Sequence, residues 1–589
     1  MLTRPERNPR TAPALASFLC LALATALPAQ PDQPFVDFID VQVVEVDVVV
    51  TDRKGRPVDG LKPEDFELYV DSAPVQITNF YESRVLREQP VGDSGDTHHS
   101  NAERASGPGS SDDAALTIVF YLDEPSTLPS HRTRLLGRLE HAVAPWRSME
   151  ARFMLARFDH RLDVLVPPTR DLDAILEGAA AVPKGSPRAI QNVEGARRSA
   201  IRSLIDSHEA CLQTLYCRPC QDNWGELLSL ARQHADNQAA NAAIAADGLA
   251  DLVTTLAGVP GKKAVVYVTD GLPQRPGISV LDYLGNQLCP DLRRSASSET
   301  MAEILQYDES RRLNRVTAHA NANRVTFFAL DAAGLRDATP DISLDRTTAP
   351  SSRNLNLHNM NAQSGLHLVA SETGGKALLN ANDLALLLAD VSAQLTVSYS
   401  LGFAPTAARP GEIRQLQVDL ARNAAKGRTV EYRRSYREKS VDERLAERLL
   451  SVAYLGSAEN PLEARVGFVA SEALGKDAHA LAVTVDVPAE AILALPFRGE
   501  ETGQLRLWLL AVKEDDGART KVRQKSLPVG GGSGVAAIDG AYRFEVAMNL
   551  PEGAYQVAVG VRDETTGVTS LIREPVSLPT PKANASARP

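Results

Sequence analysis

The stretch that most constrains this chain is residues 262–271, Lys-Lys-Ala-Val-Val-Tyr-Val-Thr-Asp-Gly. It is short, apolar and β-branched, and it follows a Pro260-Gly261 turn. That is the pattern of a strand buried on both faces, as in a parallel sheet. It ends in Thr269-Asp270-Gly271, so a carboxylate arrives at the C-terminal end of the strand. Open α/β sheets bind ligands at that edge. Residues 116–123, Leu-Thr-Ile-Val-Phe-Tyr-Leu-Asp, repeat the pattern and end in Asp123. Two strands that each deliver an aspartate to one edge point to a cation or partner site there.

Around these runs, strand and helix patterns alternate. Helices are expected over 134–146, 171–181, 241–256, 301–321 and 384–394, and strands over 152–158, 161–167 and 324–331. The short Asp159-His160 turn implies an antiparallel edge pair. Residues 399–403 are expected to close the sheet, and His367 to pack within an apolar strand. The fold class is therefore α/β: a doubly wound, mainly parallel, Rossmann-like sheet over 115–403. Insertions near 183–236 and 273–298 fall in loops beside its C-terminal edge.

The flanks have other periods. Residues 35–87 read as a small β module, with Glu45 and Asp47 alternating against Val44, Val46 and Val48. Residues 88–114, rich in Ser, Gly, Asp and Asn, read as a flexible linker; His98-His99 within it has no spaced companions for a metal. Residues 404–438 form a β extension in which 413–420 pairs with 429–436. Residues 439–478 are a helical linker whose helix 441–455 puts Leu445, Leu449 and Val452 on one face. Period-2 strands over 479–578 predict a β-sandwich of the immunoglobulin or fibronectin type. The tail, 579–589, is expected to be disordered.

The first 29 residues have the form of a signal peptide. Arg4, Arg7 and Arg10 precede an apolar stretch over 14–27, and Ala24, Ala26 and Ala29 offer small residues for cleavage. The stretch is shorter than the roughly 20 residues of a spanning helix, and no later apolar run is long enough to span. Export to periplasm, cell surface or medium is the expectation. An even set of later cysteines, Cys211, Cys217, Cys220 and Cys289, then favours disulfides. Cys217 and Cys220 could alternatively be a redox pair or half a zinc site. Pairing of Cys289 with one of the others would staple the two insertions together. With 63 Lys and Arg against 74 Asp and Glu, net charge −11, the chain has no electrostatic footprint for nucleic acid.

Several pieces in order carry a family resemblance: 60–66 (Gly-Leu-Lys-Pro-Glu-Asp-Phe), Phe120 to Asp123, Arg157-Phe158-Asp159, Val268 to Gly271, Phe328 to Asp331, and Tyr399 to Phe403. Residues 115–403 resemble a von Willebrand factor type A domain. Over 36–436 the chain is similar to the VWFA-related domain family of acidobacterial proteins. The resemblance implies protein–protein interaction or adhesion, and a divalent cation such as Mg²⁺ on Asp-x-Ser-x-Ser, a middle-loop Thr and a late Asp. Oxygen ligands suit that hard cation. Here Asp123 and Asp270 match the aspartates and Thr127 the second hydroxyl. Pro125 replaces the first Ser, with Ser126 one place out of register and Glu124 a further carboxylate. For the middle Thr, Thr169 and Ser186 are the candidates. Alternatively, Asp123 and Asp270 only cap helices or bind loop amides.

No nucleophile elbow, zinc-protease pair or phosphate loop occurs. An exported, non-enzymatic binding protein with a protein partner is the expectation. The alternatives are a structural or assembly component of the cell envelope with no working metal site, and a hydrolase using metal-activated water at Asp123 and Asp270.

Overall fold

The computed structural model describes residues 43–84, 116–183, 201, 221–287, 293–336, 352–405, 411–456, 458–473, 479–492, 495–497, 500–515, 517–530, 535 and 537–578. The signal peptide, the 88–114 linker, His98-His99, Ser186, all the cysteines and the tail lie outside these residues.

The chain enters through β1 (Val44–Asp52), β2 (Phe66–Val70), β3 (Ala73–Val75) and β4 (Asn79–Arg84). In β1 the valines at 46, 48 and 50 are buried while Glu45 and Asp47 face the other way, as the period-2 pattern requires.

The central sheet follows: β5 (Leu116–Asp123), β6 (Ala151–Phe158), β7 (Leu162–Thr169), β8 (Lys262–Thr269), β9 (Val325–Asp331) and β10 (Ala377–Leu378). Their order is β10-β9-β8-β5-β6-β7. Every neighbouring pair is parallel except β6–β7, the antiparallel edge hairpin. All eight residues of β5 are buried because both faces are covered. Ile118, Phe120 and Leu122 pack beneath α1 (Pro129–Val143), α2 (Leu172–Ala181) and the later helix Leu384–Thr396. Val119 and Tyr121 pack under α3 (Gln221–Leu256). Next come α4 (Ile278–Gln287), α5 (Arg293–Gln306), α6 (Ser310–Ala322), α7 (Ser352–Glu372) and α8 (Leu384–Thr396). Helices α6 and α7 share the α3 face.

Three expectations are corrected in this region. His367 lies exposed on α7, not in a strand; the local apolar run is one face of a helix. The single helix expected over 301–321 is two, α5 and α6, broken at 307–309. Residues 221–236 of the 183–236 insertion are the start of α3. Its Leu227, Leu228 and Ala231 pack on Val280, Leu281 and Leu284 of α4, so the two insertions meet through an apolar cluster.

The chain then returns to its beginning. β11 (Val397–Phe403), β12 (Ile413–Leu420), β13 (Arg428–Tyr432) and β14 (Ser435–Arg437) complete two four-stranded sheets, β13-β1-β11-β4 and β14-β12-β2-β3. β11 therefore does not close the parallel sheet. It pairs antiparallel with β1 and β4. β12 and β13 do not pair with each other; they join opposite sheets. The N-terminal module and the β extension are thus one sandwich with one core, in which Phe80 stacks on Tyr399 and Phe66 lies tilted against both rings. The α/β domain is inserted into it.

α9 (Val441–Leu455) starts at the Ser440 cap, whose side chain accepts from Glu443 N, and ends at Gly456 with φ +78°. Its Leu445, Leu449 and Val452 pack on Trp508, Leu510 and Ala558. On another side Ser451 Oγ accepts from Gly258 N and donates to Thr255 O at the end of α3. The last strands are β15 (Arg465–Ala473), β16 (His479–Pro488), β17 (Leu495–Phe497), β18 (Glu500–Lys513), β19 (Arg523–Gly530), β20 (Ala541–Leu550), β21 (Gly553–Asp563) and β22 (Thr569–Leu578). They form sheets β15-β16-β20 and β17-β18-β21-β22, with β19 also on β18. This sandwich begins at 465, inside the segment expected to be a helical linker. No described helix is long and apolar enough to cross a membrane.

Candidate functional site

β5 sits at the switch point of the central sheet. The chain leaves it toward β6 on one side and later returns to β8 on the other. The loops after β5 and β8 therefore part above the strand ends, where a crevice forms in doubly wound sheets. Asp123 ends β5, and Asp270 follows β8.

The two loops are tied backbone to backbone. Asp270 N donates to Ser126 O at 3.1 Å, and Leu128 N donates to Asp270 Oδ2 at 2.7 Å. His131 Nδ1 lies 2.9 Å from the same oxygen. Asp270 thus receives the N–H that precedes Pro129, the first residue of α1, and so orients that helix's entry. On its other side, α7 clasps the loop: Leu272 N donates to Ala362 O and Gly365 N to Leu272 O, at 2.8 and 2.9 Å. A Cβ on Gly365 would lie 2.2 Å from Leu272 O, so only glycine admits this approach.

Asp123 lies lower, 1% exposed. Its Oδ2 accepts from the Tyr267 hydroxyl at 2.8 Å and its Oδ1 from Ser126 N at 3.3 Å. Burial pushes its carboxyl up to about 6, against the opposing pull of these hydrogen bonds. Glu124 forms a buried ion pair with Arg132, whose guanidinium also donates to Pro183 O. Burial raises the Glu124 carboxyl, and Arg132 limits the rise. Glu124 thus faces its own cation, while its second oxygen Oε1 has no partner.

Asp270, Ser126 and His131 line a cleft of about 380 Å³, with Gln238 and Asn241 of α3 opposite and Arg336 at its rim. Arg336 makes two 2.8 Å bonds to Asp331 at the end of β9 and also donates to Asp270 O. Gln363 Nε2 of α7 donates to Asp331 Oδ2 at 3.0 Å. Asp331 is therefore held in a polar network, although no partner for it is evident in the sequence.

The expected ligands separate into two groups. Thr127 Oγ1 and Asp270 Oδ1 are buried oxygens without hydrogen-bond partners, on loops joined by the bonds above. Such atoms are costly unless something satisfies them, and both are oxygens of the kind a hard cation takes. They are oxygens of the type that the implied metal takes, and of the expected ligands Asp270 and Ser126 line the cleft while Thr127 does not. Asp123 has a donor on each oxygen, and Pro125 offers no hydroxyl. Thr169 is ruled out: it pairs with Phe153 at the start of β6, five residues and about 17 Å from the site end of the sheet. Its Oγ1 instead accepts from Asp171 N. Among the described residues no three His, Cys, Asp or Glu side chains gather as a metal cluster.

Sequence reasoning missed His131, Tyr267 and Arg336. His131 sits in the first turn of α1, eight residues after Asp123, which is the one signal that it faces the same crevice. Tyr267 reads as packing because it lies inside an apolar run, and its polar tip shows only in three dimensions.

No family model matches the chain, and no curated protein does. Among solved structures, one similar chain is titled "X-ray structure of Northeast Structural Genomics Consortium target SoR45". It is 14% identical, covers 22% of this chain and 95% of its own, and has a TM-score of 0.15, too slight a likeness to carry an argument.

Proposed function

We propose that this is an exported binding protein that presents the switch-point cleft of a von Willebrand factor A-like domain to a protein partner, with Mg²⁺ or a similar cation on Asp270 and Thr127 and with Ser126 beside them. The observation that carries this reading is the pair of buried, unpartnered oxygens, Thr127 Oγ1 and Asp270 Oδ1, on two loops that hydrogen-bond to each other. When bound, the cation supplies an open coordination position for a partner's oxygen. The chain's own residues do the rest. His131 and Leu128 N hold the second oxygen of Asp270. Arg336 ties the carbonyl of Asp270 to Asp331. The Asp123 carboxyl lies one layer below and supports the loop through Ser126 N. Two β-sandwiches frame the domain and carry it.

The test is calorimetric titration of the full chain with Mg²⁺ and Mn²⁺, beside Asp270→Ala and Thr127→Val. Saturable binding that both substitutions weaken supports the reading. A folded wild type that binds neither ion removes the cation from it.

One observation favours a second reading, that of an envelope assembly component without a working metal site. Asp123 and Asp270 both accept loop amides, which is what purely structural aspartates do. Association through the sandwiches, unchanged by chelator and by Asp270→Ala, would select it.

A further inference from the structure

A second buried polar cluster lies far from the cleft, where the end of α6 meets the start of α9. Lys439 immediately precedes the Ser440 cap of α9 and is 8% exposed. Its Nζ contacts Asn323 Oδ1 and lies 2.6 Å from Glu447 Oε2. Asn323, 4% exposed, is the C-terminal cap of α6. Glu447, two turns into α9, has a side chain only 13% exposed. An amine, a carboxamide and a carboxylate are thus held together away from water.

The carboxamide is oriented as well as buried. Asn323 Nδ2 donates to His319 O at 2.9 Å and lies 3.4 Å from His319 Nδ1. The tautomer of that ring follows from its other side. The Thr254 hydroxyl gives its proton to Ala250 O at 2.8 Å, so its oxygen accepts from His319 Nε2 at 3.0 Å. That leaves Nδ1 bare and turned toward the Asn323 nitrogen. Burial first, then Lys439 and Arg437 nearby, hold this imidazole down to about 4, so it is neutral. Burial likewise lowers the Lys439 amine, with Glu447 opposing. A desolvated lysine reaches its neutral, nucleophilic form more readily than an exposed one.

We propose that Lys439 and Asn323 join in an intramolecular amide cross-link, formed by the chain itself with Glu447 as the acid–base group. Glu447 Oε2 takes a proton from the Lys439 ammonium. The freed Nζ attacks Asn323 Cγ, forming a C–N bond. The Cγ–Nδ2 bond then breaks, and Nδ2 takes up the two protons that Nζ gives up, one by way of Glu447. Ammonium leaves, and Glu447 ends as it began, a carboxylate. The new bond is an amide, and the exchange needs no oxidant, reductant or cofactor. His319 is a positioning residue: its carbonyl fixes the amide plane and its bare Nδ1 faces the departing nitrogen.

The link closes a loop of 116 residues in sequence separation. It ties α9, which packs on the C-terminal sandwich, to the helix that leads into β9. Force or heat applied to the C-terminal sandwich would then meet a covalent bond rather than an ion pair.

Intact mass of the full chain under reducing conditions, with a peptide map, tests this. The expected mass lies one ammonia below that calculated for the sequence from its observed N-terminus, with a branched peptide joining Asn323 to Lys439. Lys439→Arg and Glu447→Gln, each checked for folding by circular dichroism, should both show the mass calculated from their own sequences, with no ammonia missing. A wild type that keeps the full mass and yields no branched peptide after prolonged incubation at neutral pH overturns the proposal. A deficit that persists in Lys439→Arg also overturns it, since the ammonia would then come from elsewhere. A deficit that persists in Glu447→Gln overturns the acid–base role.

Discussion

The Tyr267 hydroxyl donates to Asp123 Oδ2 at 2.8 Å, joining the ends of the two central strands beneath the candidate site. β5 and β8 are paired with Tyr121 opposite Tyr267, so Tyr267 and Asp123 lie on the same sheet face two positions apart in register. The carboxyl is buried, and its folded pKa of about 6 lies above the ordinary 3.8. A raised acid contributes stability that is fully present below the unfolded value and lost as pH rises through the folded one. The contribution from Asp123 should be present below 3.8 and gone above about 6, a swing of at most roughly 3 kcal/mol. Urea unfolding from pH 4 to 7 should show this decline, and Asp123→Asn should flatten it. Tyr267→Phe removes the donor and should cost about 1–3 kcal/mol, more at pH 7 than at pH 4.

Asp270 has one oxygen held by Leu128 N and His131 and one buried oxygen without a partner, and two substitutions separate them. Asp270→Ala strips the acceptor from Leu128 N and should lower stability by about 1–2 kcal/mol. Asp270→Asn keeps an acceptor for that amide and should cost less stability than the alanine change, yet lose cation binding. Unfolding curves run beside the ion titrations check both halves. An Asn variant that binds ion as tightly as wild type would contradict the role given to this carboxylate.

Gly248 lets α3 lie close on the sheet. A Cβ there would fall 2.7 Å from Tyr121 Oη and 2.9 Å from the Phe158 ring. Tyr121 and Phe158 are themselves fixed in the α3-side core. Gly248→Ala should therefore destabilise, although alanine is the better helix former, by about 1–3 kcal/mol of overpacking. Thermal unfolding measures it; a rise in melting temperature would mean that the helix simply moves aside.

Asp47 anchors the first sandwich to the base of the central sheet. It pairs with Lys262 at 2.8 Å and with Arg324 at 3.2 Å, and Arg324 also reaches Glu45 at 2.9 Å. Burial raises the Asp47 carboxyl, but Lys262, Arg324 and Arg433 outweigh it and hold it well below the usual carboxylate range. A depressed acid contributes stability present above its unfolded value and lost as pH falls through the folded one. Asp47→Ala should cost roughly 2 kcal/mol at pH 7, short of a fully buried pair because a quarter of the side chain is exposed. The deficit against wild type should shrink below pH 4, as denaturation curves at the two pH values would show.

The sequence by itself determined the central sheet. Runs such as 118–122 and 264–268 are aliphatic or aromatic at every position because both faces are covered, and an aspartate one or two residues after each marks the C-terminal edge. The helix 441–455 was equally legible, since its cap, its apolar stripe and its terminal glycine agree. Strand partnership was not. β11 has the composition of a central strand, but its partners are β1, more than 340 residues earlier, and β4. Residues so far apart leave no local pattern, because the period-2 alternation fixes which faces of a strand are buried but not which strand lies beside it. The site divides along the same line. Asp123 and Asp270 follow from strand ends, whereas the Tyr267 hydroxyl, the His131 ring and the Lys439–Asn323 contact exist only because the fold brings distant side chains into one dry space.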